Sequence, residues 1–239
     1  MSQRVLNILL DSFPKILKAG LTRTIPLTLI AFTLGLIIAI ITALVQYAKI
    51  PVLKQLARVY IWIIRGTPLL VQLFVIFFGL PDLGIVLDPF PTAVLVFSIN
   101  EGAYSAETMR AALEAVPVGQ IEAGYCVGMS YLQIMRRIVL PQAFKTAFPP
   151  LSNSLISMVK DTSLAMNITV AEMFEATKRI ASRNFEYLAL YIEVAVIYLM
   201  FSTVLTFIQK YGEKRLARLG GTREVKKRDS HNRSHKKLR

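Results

Sequence analysis

Leu27 to Val45 reads LTLIAFTLGLIIAIITALV, a run without a single charge. That run limits the possible folds more than any other feature of the chain. About 20 apolar residues in a helix cross a hydrocarbon core of roughly 30 Å. Inside that core no water is available, so each segment must satisfy its own backbone N–H and C=O groups. The chain is therefore expected to be an all-α integral membrane protein. Composition agrees: 54% of its 239 residues are hydrophobic and 18% charged, whereas soluble domains carry about 25% charged residues.

Five transmembrane helices are expected. The first runs from about Thr24 to Val45 and ends at the basic turn around Lys49 and Pro51. The second covers roughly Leu56 to Leu80, with the polar interruption Arg65 to Pro68, RGTP, inside it. After a short loop holding Asp82 and Asp88, the third goes from Thr92 to Met109. The fourth is short, Ala147 to Val159, and the fifth starts at Tyr187 and ends before Lys210. Ahead of the first span, VLNILLDSFPKILKAG is broken by Asp11 and Pro14 and lacks a small-residue cleavage site. It reads as an amphipathic segment at the membrane interface rather than a signal peptide. The expected organisation is an interfacial segment over 1–20, a transmembrane domain over 21–212 and a basic, disordered cytoplasmic tail over 213–239.

The net charge of +13 would suggest nucleic acid if it were spread over the chain. It is not: from Lys210 onward twelve Lys and Arg face Glu213, Glu224 and Asp229, which accounts for +9. After a membrane span, such a tail is a topology anchor attracted to anionic headgroups. The single cysteine, Cys126, allows no intrachain disulfide, and both histidines, His231 and His235, lie in the tail. No metal site and no Ser/His/Asp chemistry is expected. An odd number of spans puts the termini on opposite faces. The tail and the other basic residues favour an outer N-terminus, a cytoplasmic tail and a cytoplasmic central segment in a multi-pass cell-membrane protein.

That central segment, Glu122 to Pro141, reads EAGYCVGMSYLQIMRRIVLP. Its pattern is that of folded structure. Glu114 to Val127 is expected to form one short helix, since Ala115, Val118, Ala123 and Val127 fall near one face. Gly128 breaks it, Ser130 is a plausible N-cap for a second helix, and Pro141 closes that helix. Two short helices at an angle form a knob that can dock into a cleft on another protein.

Glu122, Ala123, Gly124 and Gly128, then Ile138, Val139, Leu140 and Pro141, reproduce the spacing of the EAA loop of ABC importer permeases. The departure is Gly124, where that family usually has alanine. RGTPLLVQLF from Arg65, AYSAETMRAAL from Ala103 and LPQAFKTAFPPLSNSLISMVKDTSL from Leu140 resemble the polar amino acid branch. LDPFP, SAETMRAAL and PPLSNS are most similar to its cystine permeases. The resemblance covers about residues 15 to 212. It implies a type I importer permease with a two-helix coupling loop between helices 3 and 4. Two permease subunits, identical or paralogous, would sit on two ABC ATPase subunits, and an extracytoplasmic binding protein would deliver the amino acid. The chain has no G-x-x-x-x-G-K-[ST] phosphate loop, so ATP and magnesium belong to the partner and no cofactor to this chain. The chain itself is not expected to be an enzyme. Coupling to the ATPase is assigned to Glu122, Ala123, Gly124, Gly128, Arg136, Ile138, Leu140 and Pro141. Glu122 either makes a charge-assisted contact or caps its own helix.

A zwitterion crossing a membrane needs partners for both charges, and ionisable groups at membrane depth are costly enough to suspect function. Asn153, Ser157 and the pair Lys160–Asp161 recur at three- and four-residue steps and form a polar stripe on the fourth span, followed by Thr162 and Ser163. Asn100, Tyr104 and Glu107 form a second stripe on the third span, with Glu101 beside it. The RGTP break, with Arg65, Thr67 and then Gln72, is expected to line the same cavity. Asp161 would meet the substrate ammonium while Lys160, Arg65 or a helix N-terminus meets the carboxylate. The bland alternative is that Lys160 and Asp161 simply end a helix. A second class of function, an ion-coupled carrier, is suggested by Glu101, Glu107 and Glu193 in or near spans. Such carriers usually show internal repeats, and none is visible here. An intramembrane enzyme using Ser98, Ser105 and Lys160 lacks a paired catalytic motif.

Overall fold

The computed structural model describes residues 3–47 and 51–236, with side chains described through Arg218. The described residues form helices and their connections, with no strand among them. Helix α1 (Gln3–Ala19) passes through one π turn, Gly20–Thr24, into α2 (Ile25–Tyr47). Together they make one helical run of 45 residues, about 68 Å long at 1.5 Å per residue. That is twice the hydrocarbon thickness, so the run as a whole exceeds a single crossing. Helix α1 packs with α9 (Met173–Asn184) and α10 (Tyr187–Lys236), where Ile16 joins Met173, Val194 and Ile197 in a buried cluster.

Tight pairing of α2 with α5 (Pro89–Glu114) forms the spine of the molecule. Ala31, Gly35, Ala39 and Ala43 recur every four residues along α2, and all four are buried. Small residues at that spacing let two membrane helices approach closely. A Cβ on Gly35 would lie 2.9 Å from Glu101 Cβ, and one on Gly102 of α5 would lie 2.7 Å from Ile38 Cγ2. Helices α8 (Leu140–Asp161) and α3 (Pro51–Gly66) both pack on this pair and α4 (Leu69–Gly79) packs on α5, with Leu73 of α4 and Met158 of α8 in one buried cluster.

The expected second span is not a straight helix. The chain turns by 102° between α3 and α4, at Arg65–Pro68. Pro68 has no N–H and disfavours helical backbone at Thr67, so the helix stops there. Pro68 starts α4 as its extended N-cap. The expected helix over Glu114–Val127 is also corrected. Helix α5 runs through Glu114, and the link Ala115–Pro117 separates it from α6 (Val118–Cys126). Pro117, with φ −59° and ψ 129°, resets the backbone just before α6.

A third correction concerns Pro141, which does not close a helix. From α7 (Tyr131–Ile134) the backbone widens into a π turn over Met135–Val139 and continues as α8. The N–H of Leu140 reaches Met135 O, five residues back. Widening at this point takes a proline ring into the helix without a clash against the carbonyl four residues earlier. The fourth span therefore begins near Leu140 rather than Ala147, and it includes Pro149 and Pro150. Helix α10 carries helical backbone onward to Lys236, into the segment read from sequence as the tail. The basic turn at Lys49 lies outside the described residues.

Candidate functional site: an exposed knob and a polar seam

The knob is built from two capping motifs placed end to end. Gly128 takes φ +77°, its N–H donates to Tyr125 O, and Met129 N–H donates to Gly124 O. This six-to-one and five-to-two pairing closes α6 as glycine at that position allows. Ser130 then caps α7 reciprocally with Gln133: Ser130 N–H donates to Gln133 Oε1 at 2.9 Å, and Gln133 N–H to Ser130 Oγ at 3.4 Å. Gly124 is buried, and a Cβ there would meet Ile134 Cγ1 at 2.9 Å. Glycine in place of alanine thus brings α6 closer to α7 and the π turn. Gln142 of α8 donates to Gln120 of α6 at 2.6 Å and to Ile138 O at 2.9 Å, tying the knob to the span.

Beneath the knob, Ala112, Leu113 and Val116 share one buried cluster with Ile134, Met135, Val139, Ala143 and Ala147. The end of α5, the knob and the start of α8 are therefore one packed body. Its outer face is exposed and apolar: Val118 at 65%, Val127 at 76% and Leu132 at 74%, with Tyr125 and Tyr131 beside them. Glu122 and Ala123 are exposed, and among the described residues Glu122 caps no helix, since α6 begins at Pro117 without a side-chain cap. Arg136, Leu140 and Pro141 are exposed, whereas Ile138 packs on the buried cluster.

The residues expected to line the substrate path fall into three groups. The first gathers at the elbow between α3 and α4. Gln72 Nε2 donates to Ile64 O, Thr67 O and Thr67 Oγ1 at 2.8, 3.1 and 2.9 Å. Asn100 of α5 donates to Gln72 Oε1 at 3.0 Å, and the Arg65 guanidinium sits 5.3 Å from the centre of the Tyr104 ring. Arg65, Thr67, Gln72, Asn100 and Tyr104 are thus brought together, but against the elbow rather than against α8. The second group is the seam between α5 and α8. There the buried Glu101 accepts a hydrogen bond from Ser105 and has Ser154 of α8 as a further partner. The third group lies on the outer face of α8, where Asn153, Ser157, Lys160 and Asp161 are exposed in the single chain. Asn153 accepts from Gln209 of α10 at 3.0 Å. Thr162 is buried and donates to Val159 O at 2.7 Å, and Ser163 is half-buried.

Sequence reasoning did not single out Ser154, Gln209, Gln120 or Gln142. Each of these is defined by a partner many residues away, and only the polar spacing on α8 hinted at the first. The other acids in or near spans are engaged structurally. Glu107 pairs with Arg110, and Glu193 accepts from Ser12 of α1 at 2.5 Å.

A multi-pass helical membrane protein with an exposed apolar knob between its third and fourth spans is the class these features define. The chain belongs to the family described as the binding-protein-dependent transport system inner membrane component, whose model matches residues 31–218. It is 48% identical over 213 residues to the L-cystine transport system permease protein TcyB of Bacillus subtilis, covering 89% of this chain and 91% of that protein. It is 39% identical over 207 residues to the L-cystine transport system permease protein TcyL of the same organism, covering 82% and 87%. Among solved structures it is similar to the crystal structure of an amino acid ABC transporter with histidines, at TM-score 0.84 and 33% identity, over 90% of this chain and 100% of that one. The chain is an amino acid ABC importer permease, a multi-pass membrane subunit and not an enzyme. ATP hydrolysis belongs to a separate subunit, and this membership sets aside the ion-coupled carrier and the intramembrane enzyme.

Proposed function

We propose that this permease carries L-cystine inward, with residues 114–141 receiving the stroke of the ATPase. The observation that carries the substrate assignment is the 48% identity to an L-cystine permease over nine-tenths of both chains. Coupling through the knob is supported by its exposed apolar face and by the buried cluster that joins it to α5 and α8. A push on α6 from an ATPase dimer would move those two spans as one body, because a packed core does not deform continuously.

The transport path is proposed to run along the outer face of α8. Exposed polar side chains at membrane depth are costly against lipid, and Asn153, Ser157, Lys160 and Asp161 form such a row. A second permease copy facing this row across a wet cavity would remove that cost. In this reading Asp161 meets the ammonium, and Lys160 meets the carboxylate. The N-terminus lies outside and the basic tail inside, where it anchors orientation. The test is ATPase activity of the reconstituted complex with its binding protein. L-cystine is expected to stimulate it and arginine is not, and Asp161→Asn is expected to retain basal activity while losing most uptake. Stimulation by arginine alone would overturn the substrate. Uptake by Asp161→Asn equal to that of the parent would move the path elsewhere.

A further inference from the structure

A polar cavity of about 430 Å3 lies between α2, α3 and α5. At its wall Gln46 is 8% exposed, and among the described residues its Nε2 has no hydrogen-bond partner. Lys54 and Arg58 line the same space one helical turn apart on α3, and neither makes an ion pair among the described residues. The two acids present, Glu107 and Glu114, are both bridged to Arg110. Lys54, Arg58 and Arg110 against Glu107 and Glu114 leave the cavity a net charge of +1, the complement of a singly charged oxyanion.

The surroundings say which kind of anion. One further turn along α3, Trp62 is 75% exposed, and Leu56, Val59 and Ile63 are exposed next to it. A charged basin bordered by an exposed aromatic and an aliphatic face is how a protein meets the headgroup level of a bilayer. A free anion would leave that apolar face unused, whereas acyl chains would cover it. We propose that Lys54 and Arg58 hold the phosphodiester of an anionic phospholipid, with its chains laid over the outer face of α3. Helix α3 leads directly into the elbow at Arg65–Pro68, so the bound lipid would brace the broken span. This site is separate from the path on α8 and does not depend on which amino acid is carried.

The test is lipid binding to the purified full-length permease in detergent, read by native mass spectrometry. Phosphatidylglycerol and phosphatidylcholine of equal chain length are compared. Phosphatidylglycerol is expected to bind preferentially, and Lys54→Gln with Arg58→Gln to weaken it roughly thirtyfold, the effect of two basic residues at a membrane surface. Lys178→Gln with Arg179→Gln, on α9, is expected to change nothing. Equal binding of phosphatidylcholine, or unchanged phosphatidylglycerol binding by the double variant, would overturn the site. Displacement of the lipid by millimolar inorganic phosphate would overturn its assignment to a lipid. All arms read binding rather than transport, so they stand or fall apart from the transport reading.

Discussion

Gly124 and Gly128 lie four residues apart in the knob and are required for different physical reasons. At Gly128 the surroundings are open and the backbone is at φ +77°, so the demand is conformational. At Gly124 the backbone is ordinary helix and Ile134 is in the way, so the demand is steric. The two should answer differently to the same substitutions. At Gly128, asparagine tolerates the left-handed region and valine does not, so Gly128→Val is expected to cost about 1–2 kcal/mol more than Gly128→Asn. At Gly124 the cost should grow with volume from alanine to valine, reaching about 1–3 kcal/mol. Thermal unfolding of the purified variants together with ATPase pull-down measures both, and identical rankings at the two positions would refute the distinction. Glu172 is a second single-residue case. It accepts hydrogen bonds from Phe174 N–H, Glu175 N–H and the Tyr198 hydroxyl, yet burial pushes its carboxyl above the usual value of 4.5. The folded state then holds the proton more tightly than the unfolded chain, so stability falls as pH rises from 4.5 through the raised value. Melting temperature is expected to decline across that window and to decline less in Glu172→Gln. Parallel curves for the two proteins would refute the assignment.

The elbow between α3 and α4 shows how an element boundary becomes a structural part. A helix that stops inside a membrane leaves carbonyls open, and Gln72 closes two of them while Asn100 holds it in place. Gln72→Leu fills similar space and donates nothing, so it is expected to cost about 1–3 kcal/mol for each carbonyl left dry. The checks are a lowered melting temperature and reduced uptake, and a variant as stable as the parent would mean that water reaches the elbow. The break itself was legible from Gly66 and Pro68, but its size was not. Proline and glycine say that a helix stops, whereas the 102° turn depends on what α3 and α4 pack against. In the same way, the spacing Glu114–Val127 suggested one helix by apolar period, and Pro117 overrode it. The stripe of small residues on α2 was present in the sequence at Ala31, Gly35, Ala39 and Ala43, although its meaning depends on α5 lying opposite.

Taken as one body, the molecule joins its knob to two spans through a shared buried cluster. Which face of the membrane that knob occupies is open to direct measurement with the native chain. Cys126, the sole cysteine, is exposed at the end of α6. A membrane-impermeant thiol reagent is expected to label inside-out vesicles and to leave right-side-out vesicles unlabelled, when the permease is present without its ATPase. Added ATPase should then protect the thiol. Labelling in right-side-out vesicles alone would reverse the orientation, and labelling unaffected by the ATPase would place docking elsewhere.

Runs such as Leu27–Val45 determined by themselves that the chain is helical and membrane-embedded, because apolar length answers a condition that the bilayer sets locally. Gly128 and Ser130 likewise marked a capped break within Glu122–Pro141, since caps and breaks are made within a few residues. The run of the second helix through Pro141 into the fourth span was not legible. The partnership of polar side chains was decided by tertiary packing. Asn100 and Asn153 were assigned to facing stripes by helical period, and the partners they take are Gln72 of α4 and Gln209 of α10. Period tells which residues share a face of one helix. The neighbour that this face meets depends on contacts between segments far apart in the chain, and those are set by how all the helices close around the spine of α2 and α5.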